Sequence, residues 1–312
     1  MTQKIIIDTD PGIDDTMAIT FALRSPELEV VGLTSVFGNA DIETTTQNAL
    51  RLVELEGHGH IPVARGSGVP LVLPPMELGT DVHGMDGMGN TNPPPPAGKP
   101  LGIPAAQFIV ETVMANPGEI TLVPVGPLTN IALALLLEPR IAGLVRGVAI
   151  MGGAATVGGN ISPTAEANIY HDPHAAETVF AAGWPLVMVG LDVTTKVIME
   201  PGFLKEVCAS DNPAARLIGR ILPCYQSYFD MFYGTHGQIH THDPSAVAYL
   251  VDPDLFETHD WPVYVGLDGR GMGQTIADPR RKWGAGRPAV KVCTGVNADG
   301  VLKLFKERLT RP

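Results

Sequence analysis

Basic residues, cysteines and long apolar runs are all scarce in this chain of 312 residues. Lys and Arg number 21 against 33 Asp and Glu, which gives a net charge of −12. An acidic surface repels the phosphates of nucleic acids and anionic lipids, so we expect neither nucleic acid nor a membrane as a partner. The longest apolar run, residues 131–137, is too short to cross a bilayer. Small neutral or cationic molecules and metal ions are the partners that this composition favours.

The three cysteines, Cys208, Cys224 and Cys293, are odd in number and contain no C-x-x-C pair. This pattern argues against a disulfide framework and a zinc site, and it favours free thiols in a reducing compartment. The first strand-like run, residues 5–7, begins too close to Met1 to leave room for a signal peptide. We therefore expect a cytoplasmic protein.

Short β-branched runs, each followed by Gly, Asp or Asn and then by a helical pattern, recur along the chain. They are residues 5–7, 30–36, 120–125, 148–151 and 186–190. Apolar strands that alternate with helices predict an α/β fold, with a Rossmann-like, mostly parallel central sheet flanked by helices. With 45% hydrophobic residues and no convincing boundary, we expect a single domain over residues 1–312.

Two segments depart from this rhythm. Residues 80–104 are rich in Gly and Pro, and a loop of that length in a compact domain is typical of an active-site loop. Residues 234–243 predict a polar, His-rich turn. Toward the C-terminus we expect short antiparallel strands and then a closing helix, at residues 263–266, 273–276, 290–294 and 302–309.

The most informative motif is DTDPGIDD at residues 8–15, which places four carboxylates at a strand-to-helix turn. Two carboxylates about 4 Å apart repel by about 4 kcal/mol at an effective dielectric near 20, so a fold that gathers them requires a cation, a proton or strong donors. Helix capping is the alternative, and it accounts well for Asp14 and Asp15. Because capping explains one or two carboxylates but not four, we favour a site for a hard cation.

Other polar residues follow predicted strands or stand in loops, where open α/β sheets bind their ligands. They are Asn39, residues 126–130, residues 151–153, Glu166 with Asn168, His83, and His242 with Asp243. Each is unspecific alone, and no Walker A, Gly-x-Ser-x-Gly or Gly-x-Gly-x-x-Gly pattern accompanies them.

In this order and spacing, these motifs resemble the inosine–uridine-preferring nucleoside hydrolase family over nearly the whole chain. The family consists of calcium-dependent ribonucleoside hydrolases, so the resemblance implies a ribonucleoside substrate, bound Ca²⁺ and a homodimer or homotetramer. It implies four ion ligands: Asp10, a bidentate Asp15, Asp243 and the main-chain carbonyl of Val125. It implies six ribose-binding residues: Asp14, Asn39, Met151, Asn160, Glu166 and Asn168.

The implied reaction displaces the base from the anomeric carbon through an oxocarbenium-like transition state. Asp10 would take the proton of a water that the ion polarises. His242 is the first choice as proton donor to the leaving base, with His83 as its helper or as a base-binding residue. Closure of residues 80–104 would exclude water.

The chain departs from the family pattern at two positions. Val125 stands where Thr is common, which leaves a main-chain ligand unaffected, and Ala167 stands where an aromatic residue is common, which leaves the base preference open. A nearby helix could supply aromatic contacts instead, or its aromatic residues could belong to the core. They are Tyr225, Tyr228, Phe229 and Tyr233.

Two other functions compete with nucleoside hydrolysis. A magnesium-dependent phosphohydrolase could use the acidic turn for two-metal chemistry, but no basic residue lies within residues 8–15 to hold phosphate. A non-catalytic nucleoside- or sugar-binding protein could retain the ion, but it would have no need of Asp10 as a base or His242 as an acid.

Overall fold

The computed structural model describes residues 2–283 and 286–311 and contains a nine-stranded sheet with the order β10-β9-β11-β6-β5-β4-β1-β2-β3. Nine strands form this sheet: β1 (Gln3–Thr9), β2 (Leu28–Ser35), β3 (Val63–Arg65), β4 (Ile120–Pro124), β5 (Gly147–Met151), β6 (Leu186–Val189), β9 (Phe256–Val265), β10 (Thr275–Ala277) and β11 (Ala289–Val296). The strands β7 (Ile198–Met199) and β8 (Ile239–His240) form a separate pair. In the part of this order that runs from β11 through β6, β5, β4, β1 and β2 to β3, every neighbouring pair is parallel, whereas β9 runs antiparallel to both of its neighbours. The mostly parallel sheet is therefore confirmed.

Helices cover both faces of this sheet. They are α1 (Ile13–Leu23), α2 (Ile42–Leu55), α3 (Thr80–His83), α4 (Ala105–Ala115), α5 (Thr129–Leu137), α6 (Ala167–His171), α7 (Pro173–Ala181), α8 (Leu191–Thr194), α9 (Pro201–Cys208), α10 (Pro213–Tyr233), α11 (Asp243–Val251) and α12 (Ala298–Thr310). Short 3₁₀ helices occupy Pro139–Gly143, Pro253–Leu255 and Gly269–Gly271. Along the described residues, no helix has both the length and the apolar character that crossing a membrane requires.

The buried side chains form two hydrophobic clusters, and strand β1 contributes to both. Ile5 and Ile7 belong to one cluster, while Ile6 belongs to the other, because successive side chains of a strand point to opposite faces. The first cluster includes the buried faces of α1, α10, α11 and α12, and the second those of α4, α5 and α7. The two-sided covering explains why the strands are continuous apolar runs.

Strand β1 lies between β2 and β4, so the chain connections leave it toward opposite edges of the sheet. Asp8 pairs with Thr34 of β2 and with Pro124 of β4. The turn after β1 and the turn after β4 therefore begin side by side, at the kind of crevice where open α/β sheets bind ligands.

The structure corrects four local expectations. Strand β11 is antiparallel to β9 but parallel to β6, so it extends the parallel sheet. The predicted turn at residues 234–243 contains strand β8, which pairs with β7. The long loop begins with the short helix α3, after which residues 84–104 have no helix or strand. The closing helix is present, but it begins earlier than predicted, at Ala298.

The closing helix α12 packs on α1 through an aromatic pair whose contribution to stability can be measured. Phe305 is 1% exposed, and its ring meets that of Phe21 edge to face with centroids 5.5 Å apart. We expect Phe305→Ala to lower the free energy of unfolding by about 3–5 kcal/mol, as measured by denaturant titration. Phe232→Ala, at a ring that is 62% exposed, should change it by about 0.5 kcal/mol or less. Equal losses in the two variants would contradict this packing.

Candidate active site

A cavity of about 270 Å³ opens beyond the carboxyl ends of β1, β4 and β5. Its volume lies near the lower end of the range of small-molecule sites, about 300–1,000 Å³. The predicted site residues on its wall are Asp14, Asn39, His83, Val125, Met151, Asn160, Glu166, Asn168, His242 and Asp243. Two predicted residues, Asp10 and Asp15, are buried away from this wall at 2% and 0% exposure. Segments from most of the chain thus converge at one place.

The Asp15 carboxylate organises the turn between β1 and α1. Its Oδ1 accepts hydrogen bonds from the Thr9 hydroxyl at 2.5 Å and from the Asp10 amide at 3.2 Å. Its Oδ2 accepts from the Gly12 amide at 3.0 Å and from the Asn39 side-chain amide at 2.8 Å. Asp15 therefore caps α1, as the capping interpretation proposes. Each oxygen already accepts two bonds, so a bidentate contact with an ion would have to share or displace some of them.

Capping does not account for Asp10 and Asp14, because each has a buried oxygen without a hydrogen-bond partner. The Oδ2 of Asp10 accepts from the Asn39 amide at 2.8 Å, and its Oδ1 has no partner. The Oδ2 of Asp14 accepts from the Tyr225 hydroxyl at 3.2 Å, and its Oδ1 likewise has no partner. A buried carboxylate oxygen without a donor is costly, so these two atoms indicate that a cation or a proton completes the site.

Asp14, Asp15 and Asp243 each present an oxygen within 4.8 Å of the others. Asp15 and Asp243 belong to the predicted ligand set, whereas Asp14 had been expected to bind ribose, and Asp10 lies outside this group. Burial raises the pKa of all four carboxyls, and the like charges nearby raise those of Asp10, Asp15 and Asp243 further. Among the described residues along the cavity, none is Lys or Arg. Such an oxygen-rich, uncompensated group fits a hard divalent cation.

Glu166 and Asn168 form a second wall, at the start of α6. The Glu166 carboxylate accepts from the main-chain amides of Gly153, Asn168 and Ile169 at 3.0–3.2 Å, so it caps that helix. Burial raises the pKa of Glu166 to about 7 in spite of these donors. The Asn168 side-chain amide donates to the carbonyls of Val125 at 2.9 Å and Met151 at 3.1 Å. The Val125 carbonyl, a predicted ion ligand, is therefore held in place by the Asn168 side chain.

Asn160 differs from the rest of this wall because its position is exposed. Its Oδ1 accepts from the Ala167 amide at 3.0 Å, and the residue lines the cavity mouth.

Two buried histidines face the same cavity. The Nδ1 of His83 accepts from the Ile13 amide at 3.0 Å, so the proton of the neutral ring lies on Nε2. The Nδ1 of His242 shares a hydrogen bond of 2.9 Å with the Thr194 hydroxyl. Burial lowers the pKa of His83 to about 4 and that of His242 to about 3, the latter with help from neighbouring histidines. Both rings are therefore neutral near pH 7.

The aromatic residues of α10 combine the two roles that the sequence left open. Tyr225 and Phe229 are buried in the core cluster, yet they line the cavity together with Tyr228 and Tyr233. The ring of Tyr225 lies 5.4 Å from that of His83, centroid to centroid. These side chains can present an aromatic surface to a planar ligand, while the Tyr225 hydroxyl donates a hydrogen bond to Asp14.

Several supporting contacts have no signal in the sequence. Asp8 accepts from the Thr34 hydroxyl at 2.6 Å and from the Asn130 side chain at 2.8 Å, below the acidic turn. Thr194, which orients His242, stands 48 residues before it in the chain.

The three cysteines are free thiols, two half-buried and one buried, as expected.

Comparisons with known proteins identify the family. The family model described as inosine-uridine preferring nucleoside hydrolase matches residues 5–303. A probable uridine nucleosidase 2 of Arabidopsis thaliana is 41% identical, covering 98% of this chain and 97% of the relative.

Solved structures give the same result. A plant nucleoside hydrolase superposes with a TM-score of 0.97 at 40% identity, covering 100% of both chains. A purine-preferring ribonucleoside hydrolase from Gardnerella vaginalis superposes with a TM-score of 0.92 at 33% identity, covering 99% of this chain and 98% of that one. With the match spanning nearly the whole sequence and the predicted motifs gathered at one cavity, this chain belongs to the inosine–uridine preferring nucleoside hydrolase family.

Proposed function

We propose that this nucleoside hydrolase cleaves the N-glycosidic bond of ribonucleosides, releasing ribose and the free base. The observation that carries the proposal is the buried acidic group without basic counter-charge, next to hydrogen-bonding groups suited to sugar hydroxyls. Negative charge at this position stabilises the positive charge that develops on the sugar ring as the base departs. The relatives, whose names specify uridine and purine ribonucleosides, support the same reaction class.

We further propose that Ca²⁺ is held by Asp10, Asp15, Asp243 and the Val125 carbonyl, with Asp14 able to contact either the ion or the ribose. The unpartnered Oδ1 of Asp10 and the proximity of the Asp15 and Asp243 oxygens support this assignment. Carboxylate and carbonyl oxygens are ligands that calcium prefers. When bound, the ion supplies positive charge that offsets the carboxylates and lowers the pKa of water.

The protein groups have distinct parts in the reaction that we propose. Asp10 accepts a proton from the attacking water, as a general base. Ribose hydroxyls are bound by Asp14, Asn39, Asn160, Glu166 and Asn168, and Met151 contacts the apolar side of the sugar. We assign His242 as the proton donor to the departing base; because its ring is neutral near pH 7, this transfer requires that the ring first take up a proton from solvent. His83 contacts that base through Nε2.

The aromatic residues of α10 provide the base-contacting surface in this proposal, because position 167 carries only a methyl group. A surface on one side of the base places few demands on its size. We therefore propose that the enzyme accepts both a pyrimidine and a purine.

A cytoplasmic location and a homodimer or homotetramer are proposals that rest on the sequence and the family resemblance.

A phosphohydrolase is less well supported, since no Lys or Arg stands among the described residues that line the cavity. A non-catalytic binding protein is disfavoured because the similar proteins are named as a uridine nucleosidase and a ribonucleoside hydrolase.

Ribose release from a panel of nucleosides tests the reaction directly. We expect free ribose from inosine and uridine, and release slower by at least about 10⁴-fold from their 2′-deoxy analogues, because the polar groups of the site would be left unpaired. A reducing-sugar assay with saturating calcium measures both. Absence of ribose from every ribonucleoside, or equal rates with the deoxy analogues, would overturn the proposed function.

Asp10→Asn separates proton abstraction from binding. Asparagine retains an oxygen for the Asn39 amide but is a far weaker base, so we expect kcat to fall by at least about 100-fold at saturating calcium. Inhibition by ribose, measured as its Ki, should change much less. Asp254→Asn, at an exposed position away from the cavity, is the matched control and should leave both unchanged. Parallel losses of kcat and ribose affinity would show that Asp10 is not the base.

A further inference from the structure

We propose that Asn48 is a positioning residue that holds His83 against the acidic turn at residues 8–15, because its side-chain amide binds both that turn and the turn at residues 84–92. We call these two hydrogen bonds the Asn48 clamp. The inference rests on the proposed function, in which His83 contacts the leaving base. Asn48 lies on α2, is fully buried and does not line the cavity, so it acts on the reaction only through other residues.

The side-chain amide of Asn48 joins the two sides of the site. Its Nδ2 donates to the Pro11 carbonyl at 3.0 Å and to the Asp86 carbonyl at 2.9 Å. Pro11 belongs to the acidic turn, and Asp86 follows His83 by three residues. The Oδ1 of Asn48 accepts from Arg51 at 2.6 Å, which fixes the amide so that both N–H groups face the two carbonyls. One planar group therefore sets the distance between the acidic turn and the loop that carries His83.

The turn after His83 is built around the side chain of Asp86. This carboxylate accepts from three main-chain amides, those of Met88, Asn90 and Asn92, at 2.7–2.8 Å. The Gly89 amide donates back to the carbonyl of His83 at 2.8 Å, so the turn closes on the histidine itself. A displacement of the Asp86 carbonyl would consequently be transmitted to the backbone of His83.

Gly87 shows how closely the turn approaches the clamp. It has a φ of +67°, and a Cβ at this position would lie 2.8 Å from the Asn48 Nδ2 and 2.9 Å from the Pro11 carbonyl oxygen. Any side chain would push Asn48 away from both carbonyls. The close approach and the left-handed backbone both require glycine here.

The second contact between the two sides is the hydrogen bond from the Ile13 amide to His83 Nδ1. This bond fixes the tautomer of the ring, but it does not by itself fix the backbone of the loop that carries His83. The Asn48 clamp restrains the backbone of the same loop, and the two restraints together determine where Nε2 lies in the cavity. Misplacement of a reacting group by about 1 Å can lower a rate by about 100-fold.

Dependence on the leaving group tests this role. We expect Asn48→Ala to lower kcat for inosine by about 10- to 100-fold, because hypoxanthine needs a proton or hydrogen bond to depart. A p-nitrophenyl riboside needs none, since nitrophenolate is a stable leaving group, and its kcat should stay within about threefold of that of the unmodified protein. His83→Ala should show the same pattern, and the double variant should be no slower on inosine than His83→Ala alone.

Asn212→Ala is the matched control. Asn212 is also buried, and its side chain also donates to a main-chain carbonyl, that of Leu309 at 3.1 Å, but it caps α10 far from His83 in the fold. We expect a lower melting temperature for this variant with an unchanged ratio of the two rates. If Asn48→Ala does not fold, Asp86→Ala in the half-buried turn should give the same leaving-group dependence.

The outcomes are distinguishable. Equal losses on inosine and the nitrophenyl riboside in both the Asn48 and the Asp86 variant, or a further loss in the double variant, would overturn the positioning role of Asn48. Unmodified protein that cleaves neither substrate would instead overturn the proposed function.

Discussion

The concentration of carboxylates in a cavity whose described lining residues include no Lys or Arg is the constraint on which the rest of the structure depends. Asp10, Asp14, Asp15 and Asp243 are buried together, and burial raises the pKa of each. Donors from the protein satisfy Asp15 fully, but not Asp10 and Asp14. A divalent cation would remove the repulsion and at the same time provide the charge that the proposed hydrolysis needs. Binding and catalysis are thus two consequences of the same electrostatic imbalance.

The fold brings the required groups together by simple means. Parallel strands end at one edge of the sheet, and the chain adds β2 on one side of β1 and β4 on the other, which leaves a crevice beyond β1. Loops from distant parts of the chain then contribute Glu166 and Asn168, the two histidines and the aromatic surface of α10. The supporting hydrogen bonds, such as those of Asn168 and Asn48, hold these loops on the rigid strands and helices.

Much of this architecture is predictable from sequence because local patterns determine it. Continuous apolar runs predict parallel strands, and the carboxylates at residues 8–15 predict a cation site at the first strand end. The direction of β11 was not predictable, since its pairing with β6 depends on tertiary contacts and not on its own residues. The supporting partners, Thr194 for His242 and Asn48 for the loop after His83, are also contacts between distant segments. That an Asp14 oxygen lies within 4.8 Å of oxygens of Asp15 and Asp243 is visible only in the structure.

In the function that we propose, a calcium ion compensates the buried carboxylates and is required for hydrolysis. The most direct measurement removes the ion with a calcium-selective chelator, then follows the melting temperature and ribose release from uridine as Ca²⁺ or Mg²⁺ is added back. We expect both quantities to fall on chelation and to rise together with Ca²⁺, with a stabilisation of about 2.7 kcal/mol at 100 times Kd. Full activity and an unchanged melting temperature in protein shown to be free of the ion would contradict the account.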